Sequence, residues 1–260
     1  MLLRNKLRKQ PKYASLFEHK MPENVKNFYK NEKVAEILQM LGDFPYGVNA
    51  NGPSENQVEW RSSVILENKV KYDGQWQVGT HVRVGKGKQT WPDGSIYEGW
   101  WSENRANGRG RLIHVDGSMY EGEWLNDRTH GQGIYSNTDG TKYVGEWADN
   151  VQHGKGVETW PDGARYEGDY FNGKKTGKGH FAWADGSVFE GDFVNNDING
   201  YGMYTWGDGR IFKGNWKDNK MHGDGVFMWP DGRRYEGGYV NDIKEGYGVF
   251  TWPNGKKYDG

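Results

Sequence analysis

The chain has 260 residues, a net charge of −1, 40 glycines, 13 tryptophans and only 34% hydrophobic residues. It has no cysteine, which excludes disulfides, thiolate zinc sites and cysteine nucleophiles, and the near-absence of aliphatic runs excludes a membrane-spanning helix. The charge is divided: residues 1–33 hold nine Lys/Arg against three Glu (+6), which leaves −7 on the remainder of a chain totalling −1.

The chain opens on a basic arm carrying Arg4, Lys6, Arg8, Lys9 and Lys12. Such an arm either docks on a negatively charged surface or is a solvated tail. The same acid-poor stretch, Met1 to Phe17, also has the composition of a mitochondrial presequence. Next comes a helix, expected over about 22–41. Val34, Ile37, Leu38 and Leu41 follow the i, i+3, i+4, i+7 spacing of one apolar stripe. Gly42 is placed to stop the helix, and Pro45 lies just beyond. The stripe is expected to cover the first strand of the chain, the alternative being a partner's groove. Residues 43–56 read as a linker, because Pro45, Gly47, Gly52 and Pro53 break regular structure. The domain division is therefore 1–57, arm, helix and linker, then 58–260. Val58, Trp60, Val64 and Leu66 share one parity and predict a strand. Glu67-Asn68-Lys69 turns it into the strand bearing Tyr72 and Trp76.

From there one unit recurs. The aromatics Tyr72, Tyr97, Tyr120, Tyr143, Tyr166, Phe189, Phe212, Tyr235 and Tyr258 are spaced by 25 residues once and by 23 thereafter. That is the signature of a stacked repeat. Each unit reads aromatic-x-Gly-x-aromatic, a polar loop, Gly-x-Gly, and a turn ending in Asp-Gly, as in Trp91-Pro92-Asp93-Gly94. Proline pre-sets φ there, aspartate bonds locally and glycine supplies a positive φ. If the turn is type I with a glycine bulge, Trp101 faces Gly85, Gly99 faces Gly87, Tyr97 faces Gln89, Trp124 faces Gly108 and Tyr120 faces Leu112. The glycines would leave room for a neighbouring ring to lie across the backbone, which explains glycine inside strands. Parity places Tyr97, Gly99 and Trp101 on an aromatic face, and Glu98, Glu121, Glu167, Glu190 and Glu236 on an acidic, solvated one.

These columns resemble the MORN repeat family, as in Tyr120-Glu-Gly-Glu-Trp124 followed by His130-Gly-Gln-Gly133, over roughly residues 70–260. The resemblance implies an all-β fold: an elongated single antiparallel meander of stacked hairpins, about eight units plus a final partial motif, with a short N-terminal α-helical arm. At two strands per unit and about 4.8 Å per strand, the array would run on the order of 70–80 Å. Similar arrays occur in ciliary radial-spoke head proteins and junctophilins, and attached to lipid-kinase and methyltransferase catalytic domains. The sequence holds no such catalytic domain.

The chemistry-bearing residues fall into repeat columns rather than into a singular cluster. His130, His153 and His222 share a column, but neighbours two strand spacings apart cannot share a metal. They read as loop residues beside the Gly-x-Gly. One turn aspartate per unit falls short of the 6–8 oxygens calcium takes. Gly-Lys-Gly at 85–87 has no strand–helix context for a phosphate loop. The chain therefore reads as no enzyme, with no cofactor and no metal site. The partner-binding candidates are the turn tryptophans Trp91, Trp160, Trp183, Trp206, Trp229 and Trp252, replaced by His114 and Asn137 in two units. With them go the ladder rings Tyr97, Trp101, Tyr120, Trp124, Tyr143, Trp147, Tyr166 and Tyr170, which together would line a shallow groove. The expected role is a scaffold within a ciliary axonemal or cytoskeletal assembly. Its basic arm would lie on an acidic surface such as tubulin, with no nucleic acid bound. The alternatives are a phospholipid-binding membrane module and an accessory subunit of a mitochondrial assembly.

Overall fold

A computed structural model describes residues 29–50 and 52–260. The basic-arm residues Arg4, Lys6, Arg8, Lys9 and Lys12 and the first part of the expected helix lie outside the described residues. Eighteen antiparallel strands follow one another as an open meander. The described residues fall into two compact units, 29–151 and 152–260.

The first unit contains one helix, α1 (Glu32–Leu41), and strands β1 (Val58–Ile65), β2 (Lys71–Gln77), β3 (Arg83–Thr90), β4 (Ile96–Ser102), β5 (Arg105–Ile113), β6 (Met119–Leu125), β7 (Arg128–Ser136) and β8 (Lys142–Ala148). The second contains β9 (Val151–Thr159), β10 (Arg165–Phe171), β11 (Lys174–Ala182), β12 (Val188–Val194), β13 (Asp197–Thr205), β14 (Ile211–Lys217), β15 (Lys220–Met228), β16 (Arg234–Val240), β17 (Ile243–Thr251) and β18 (Lys257–Asp259). β9 begins one residue before that boundary.

Of the expected span 22–41, residues 32–41 are helical and residues 29–31 are not. Asn31 caps the helix, its side chain accepting from the Val34 N–H, and Gly42 ends it at φ 69°, with its N–H bonded to the Leu38 carbonyl. The stripe lies on its own sheet, but not on the first strand. Val34 is buried against Ile96 and Ile113, with Ile37, Leu38 and Met119 alongside, so α1 sits on the outer face of β4, β5 and β6. The segment expected to be a linker packs on the same face. Phe44 is buried, the Trp100 indole donates to the Tyr46 carbonyl at 2.8 Å, and Arg111 joins the Gly42 carbonyl to Glu98 at 3.0 and 2.9 Å. Burial and the Glu98 charge push the Tyr46 phenol up to about 12.

Register follows the turn chemistry. Gly85 faces Trp101, Gly87 faces Gly99 and Gln89 faces Tyr97, and Gly108 faces Trp124 while Leu112 faces Tyr120. The Trp91 carbonyl accepts from the Gly94 N–H and the Trp91 N–H donates to Ser95, each at 2.9 Å. Gly94 stands at φ 92°, as the bulged turn requires. The polar loop, by contrast, is a two-residue turn with positive φ at both positions, such as Glu103 (49°) and Asn104 (66°), the I′ geometry that matches strand twist. Nine-residue strands leave it directly, so His130, His153 and His222 lie in β7, β9 and β15 rather than in loops.

β1 departs from its predicted parity. A bulge between Arg61 and Val64, with Ser63 at φ 58°, inserts one residue. Val64 then faces Tyr72 while Glu59, not Trp60, faces Trp76. Trp60 is left 59% exposed, and the Trp76 indole N–H has no hydrogen-bond partner among the described residues.

Candidate functional site

The interior is assembled from rings and glycines. Tyr97 lies across two strands: a Cβ added to Gly99 or Gly110 would overlap its phenol. The Tyr97 hydroxyl donates to the Trp100 carbonyl at 3.1 Å. The ring sits edge-to-face between Trp101 of its own unit (5.2 Å) and Trp124 of the next (5.1 Å), the geometry preferred by ring quadrupoles. Tyr120 repeats the arrangement with Trp124 and Trp147. The Trp101 and Trp124 indoles donate to the Gly87 and Gly110 carbonyls. The two glycines of each Gly-x-Gly do different things. Gly110 makes room for a ring, whereas Gly108 holds a left-handed backbone at φ 86°. The ring over the glycines is therefore the first aromatic of the unit, not the second.

This packing changes where a partner can touch. Tyr97, Trp101, Tyr120, Trp124, Tyr143, Trp147, Tyr166 and Tyr170 are all buried, as are Trp160 and Trp183. They cannot line an open groove, because each ring is enclosed by glycine backbone and neighbouring rings. Trp91, Trp206, Trp229 and Trp252 remain half-buried. In the second unit the turn tryptophans join a continuous run of nine rings, Trp160, Phe181, Trp183, Tyr204, Trp206, Phe227, Trp229, Phe250 and Trp252, with successive centroids 4.4–5.5 Å apart. The glutamates of the opposite face are mostly held in ion pairs. Arg111 and Lys88 hold Glu98 at 2.9 Å each, and Arg165 and Arg234 hold Glu167 and Glu236.

Two polar groups inside were not singled out by the motif. In the second unit the buried Lys175 ammonium meets the Glu158 carboxylate at 2.6 Å. The Tyr170 hydroxyl donates to the same oxygen at 3.1 Å, and the Tyr166 and Trp160 rings lie 4.9 and 5.2 Å from the ammonium. Burial pulls Lys175 below its ordinary value, against the Glu158 charge that pulls it back. In the first unit Arg83 lies 4.4 Å from the Trp101 ring centroid and 5.4 Å from that of Tyr72. It donates to the Gln89 side chain and to the Asn104 carbonyl, and burial pulls its guanidinium below the ordinary value. Beside it is a cavity of about 300 Å³, lined among others by Leu66, Gln89, Trp91, Trp101, Leu112 and Asp127. The signal was present in the repeat. Arg83, Ala106, Thr129, Gln152, Lys175, Ile198, Met221 and Lys244 form one column at a spacing of 23, and Glu158 is the acid in a column of mostly aromatic and aliphatic residues.

A further column ties successive units. The side chain of the second turn residue accepts a backbone N–H from 21 residues earlier: Asn104 from Arg83, Asp127 from Ala106, Asn196 from Lys175, Asn219 from Ile198. His153 packs 5.3 Å from the Phe171 ring.

Among family profiles, that described as MORN repeat matches eight times, over residues 81–96, 97–119, 120–142, 143–165, 166–188, 189–209, 212–233 and 235–257. No match was found among curated proteins. Similar solved structures include the TCP10 domain of Danio rerio CPAP in complex with a peptide of Danio rerio STIL. The two chains are 14% identical, with 69% of this chain and 81% of that chain covered, at a TM-score of 0.41. The SAS-4 (dCPAP) TCP domain of Drosophila melanogaster, in complex with a proline-rich motif of Ana2, is 11% identical over 84% of this chain and 97% of that chain, at a TM-score of 0.33.

Proposed function

The chain belongs to the MORN-repeat family, and we propose that it is a non-catalytic scaffold. In this reading it binds protein partners through the half-buried aromatic positions of the array and through its basic N-terminal arm, within a ciliary axonemal or cytoskeletal assembly. The observation that carries the reading is the division of labour among the rings. The ladder rings are fully buried in packing successive units together, whereas Trp206, Trp229 and Trp252, stacked on one side in the run of nine rings, stay half-buried at the turns. Aromatic side chains left at a surface are the usual anchors of protein interfaces. The basic arm has the composition to lie on an acidic surface, for which tubulin is the candidate.

Two experiments test this. A tagged chain lacking residues 1–33 should leave the assembly in which the full chain is retained, and a triple Trp206→Ala, Trp229→Ala, Trp252→Ala variant should lose co-purifying proteins. Unchanged retention and unchanged co-purification would refute the scaffold reading. Sedimentation with anionic vesicles distinguishes the membrane alternative: binding that survives removal of the arm would favour it, although the −7 of the remaining chain opposes attraction to anionic lipid. Imaging of the tagged chain separates cilium from mitochondrion.

A further inference from the structure

The repeat supplies its own comparison for Arg83. Lys175 stands opposite Tyr170 in register, and Arg83 stands opposite Trp76 in the same way. The acid that answers Lys175 is Glu158, which faces Tyr166 from the preceding strand. The position facing Tyr72 from β1, which corresponds to it, is Val64. Arg83 thus occupies the cation position of the unit where the acid position is apolar. Among the described residues, no carboxylate oxygen lies within 4.0 Å of its guanidinium. Its hydrogen bonds go to neutral oxygens of Gln89 and Asn104. Asp127 lines the same cavity, but its Oδ1 accepts the Ala106 N–H at 2.7 Å. Lys244, the third cation of the column, also lacks an acid, since Phe227 faces Tyr235. Lys244 is exposed, so water serves it.

A guanidinium held against two rings and half withdrawn from water, with the Asp127 charge nearby but no carboxylate in contact, is compensated only in part for its desolvation. Its fork of N–H groups matches a planar carboxylate. The adjoining cavity of about 300 Å³ is walled by Leu66, Trp91 and Leu112 as well as by the polar groups, so an apolar group beside that carboxylate would meet apolar walls. We propose that this cavity binds a carboxylate of a partner polypeptide, carried beside an apolar group, and that it reproduces with Arg83 the pair that Glu158 makes with Lys175. The carboxylate is either a chain terminus or an Asp/Glu side chain. The proposal rests on the scaffold reading for the partner being a protein, and it names the chemistry that one unit recognises.

The test uses the full chain, labelled with ¹⁵N, and follows the Trp91 and Trp101 indole N–H signals during titration with small probes. N-acetylphenylalanine presents a terminal carboxylate, N-acetylglutamic acid α-amide presents a side-chain one, and N-acetylphenylalaninamide presents the same ring without charge. At least one acid should shift these signals saturably and bind about tenfold or more tightly than the neutral amide. Whichever acid does so identifies the source. Arg83→Gln should abolish the shift, whereas Arg83→Lys should keep the preference for acid over amide at lower affinity. Val64→Glu, by supplying the carboxylate internally, should block the probe. Melting curves of each variant identify any that fails to fold, in which case Arg83→Lys against wild type decides. No saturable shift with either acid, equal binding of the amide, or an Arg83→Gln protein that binds like wild type would overturn the proposal. Retention of the full chain in its assembly would be untouched by that result, so the scaffold reading would stand or fall separately.

Discussion

Residues 29–151 and 152–260 are built on one repeat yet are stabilised by different means. In the first unit the turn column runs Trp91, His114, Asn137, so the turn tryptophan does not recur from unit to unit. Here α1 buries Val34 against Ile96 and Ile113, and Phe44 and Tyr46 pack beside Trp100. In the second unit the same outer columns hold Val188, Thr205, Ile211 and Met228, all half-buried, and the turn tryptophans join the run of nine rings. The units also differ in the ring that lies over the glycines. It is tyrosine at 72, 97, 120 and 143, and in the second unit it becomes phenylalanine at 189 and 212. One backbone plan therefore accepts a covered face or a stacked interior, and the choice is written in positions that vary between copies.

The largest expected difference between the units is their response to alkali. Burial raises the Tyr72 and Tyr120 phenols, and the Tyr97 phenol well above, the ordinary 10.0. A tyrosine whose folded value is raised stabilises the fold fully below its unfolded value, and that contribution is lost as pH rises beyond it. Stability should thus fall from about pH 10 upward, with tyrosinate absorbance appearing together with unfolding. Tyr97→Phe with Tyr120→Phe should move the alkaline midpoint up by more than Tyr166→Phe, because Phe189 and Phe212 already free the second unit of part of this dependence. Equal shifts would erase the distinction.

Next in size is the buried ion pair. Glu158→Leu leaves Lys175 without its acid inside the second unit and should cost about 3–5 kcal/mol, read from urea unfolding. Adding Lys175→Met should recover most of it. A single substitution that costs no more than a surface change would show that the pair is not enclosed. Third, Val34→Ala should cost about 1.5–3 kcal/mol by loss of buried methyl groups, whereas Val188→Ala on the equivalent, uncovered face should stay within about 0.5 kcal/mol. Equal costs would mean that α1 does not cover the first unit in solution. The smallest effect concerns the turn clamp. Asn219→Gly removes the acceptor of the Ile198 N–H, bonded at 2.6 Å, and should cost about 1 kcal/mol. Gly173 stands naturally in the matching turn, where its N–H reaches the Gln152 carbonyl with no side chain to answer, which sets the limit on how much that clamp can matter.

Much of this is legible in the sequence, for one physical reason: a feature copied many times fixes its own register. The 23-residue spacing and the Asp-Gly turn determine that Trp101 faces Gly85 and that Tyr166 and Tyr170 share a side, where their rings meet edge-to-face at 5.4 Å. Features that occur once escape. The bulge at Ser63 has no turn residue to announce it, and it moves Trp60 to the other face. The packing of Tyr46 on Trp100 joins residues 54 apart, outside any repeat. Arg83 and Lys175 are visible as cations in a column, but not as a half-buried and a buried group, because burial depends on how the Tyr ring folds over its glycines. The same closure turns an expected groove into an interior.

Everything else in the array depends on that closure, and a double-mutant cycle between Gly110 and Tyr97 probes it. Gly110→Ala alone should cost about 1–3 kcal/mol, because its methyl overlaps the phenol. In a Tyr97→Leu background most of that cost should vanish, giving a coupling of about 1–2 kcal/mol. Costs that simply add would mean the ring does not lie on the glycine, and the account of how these repeats close would be wrong.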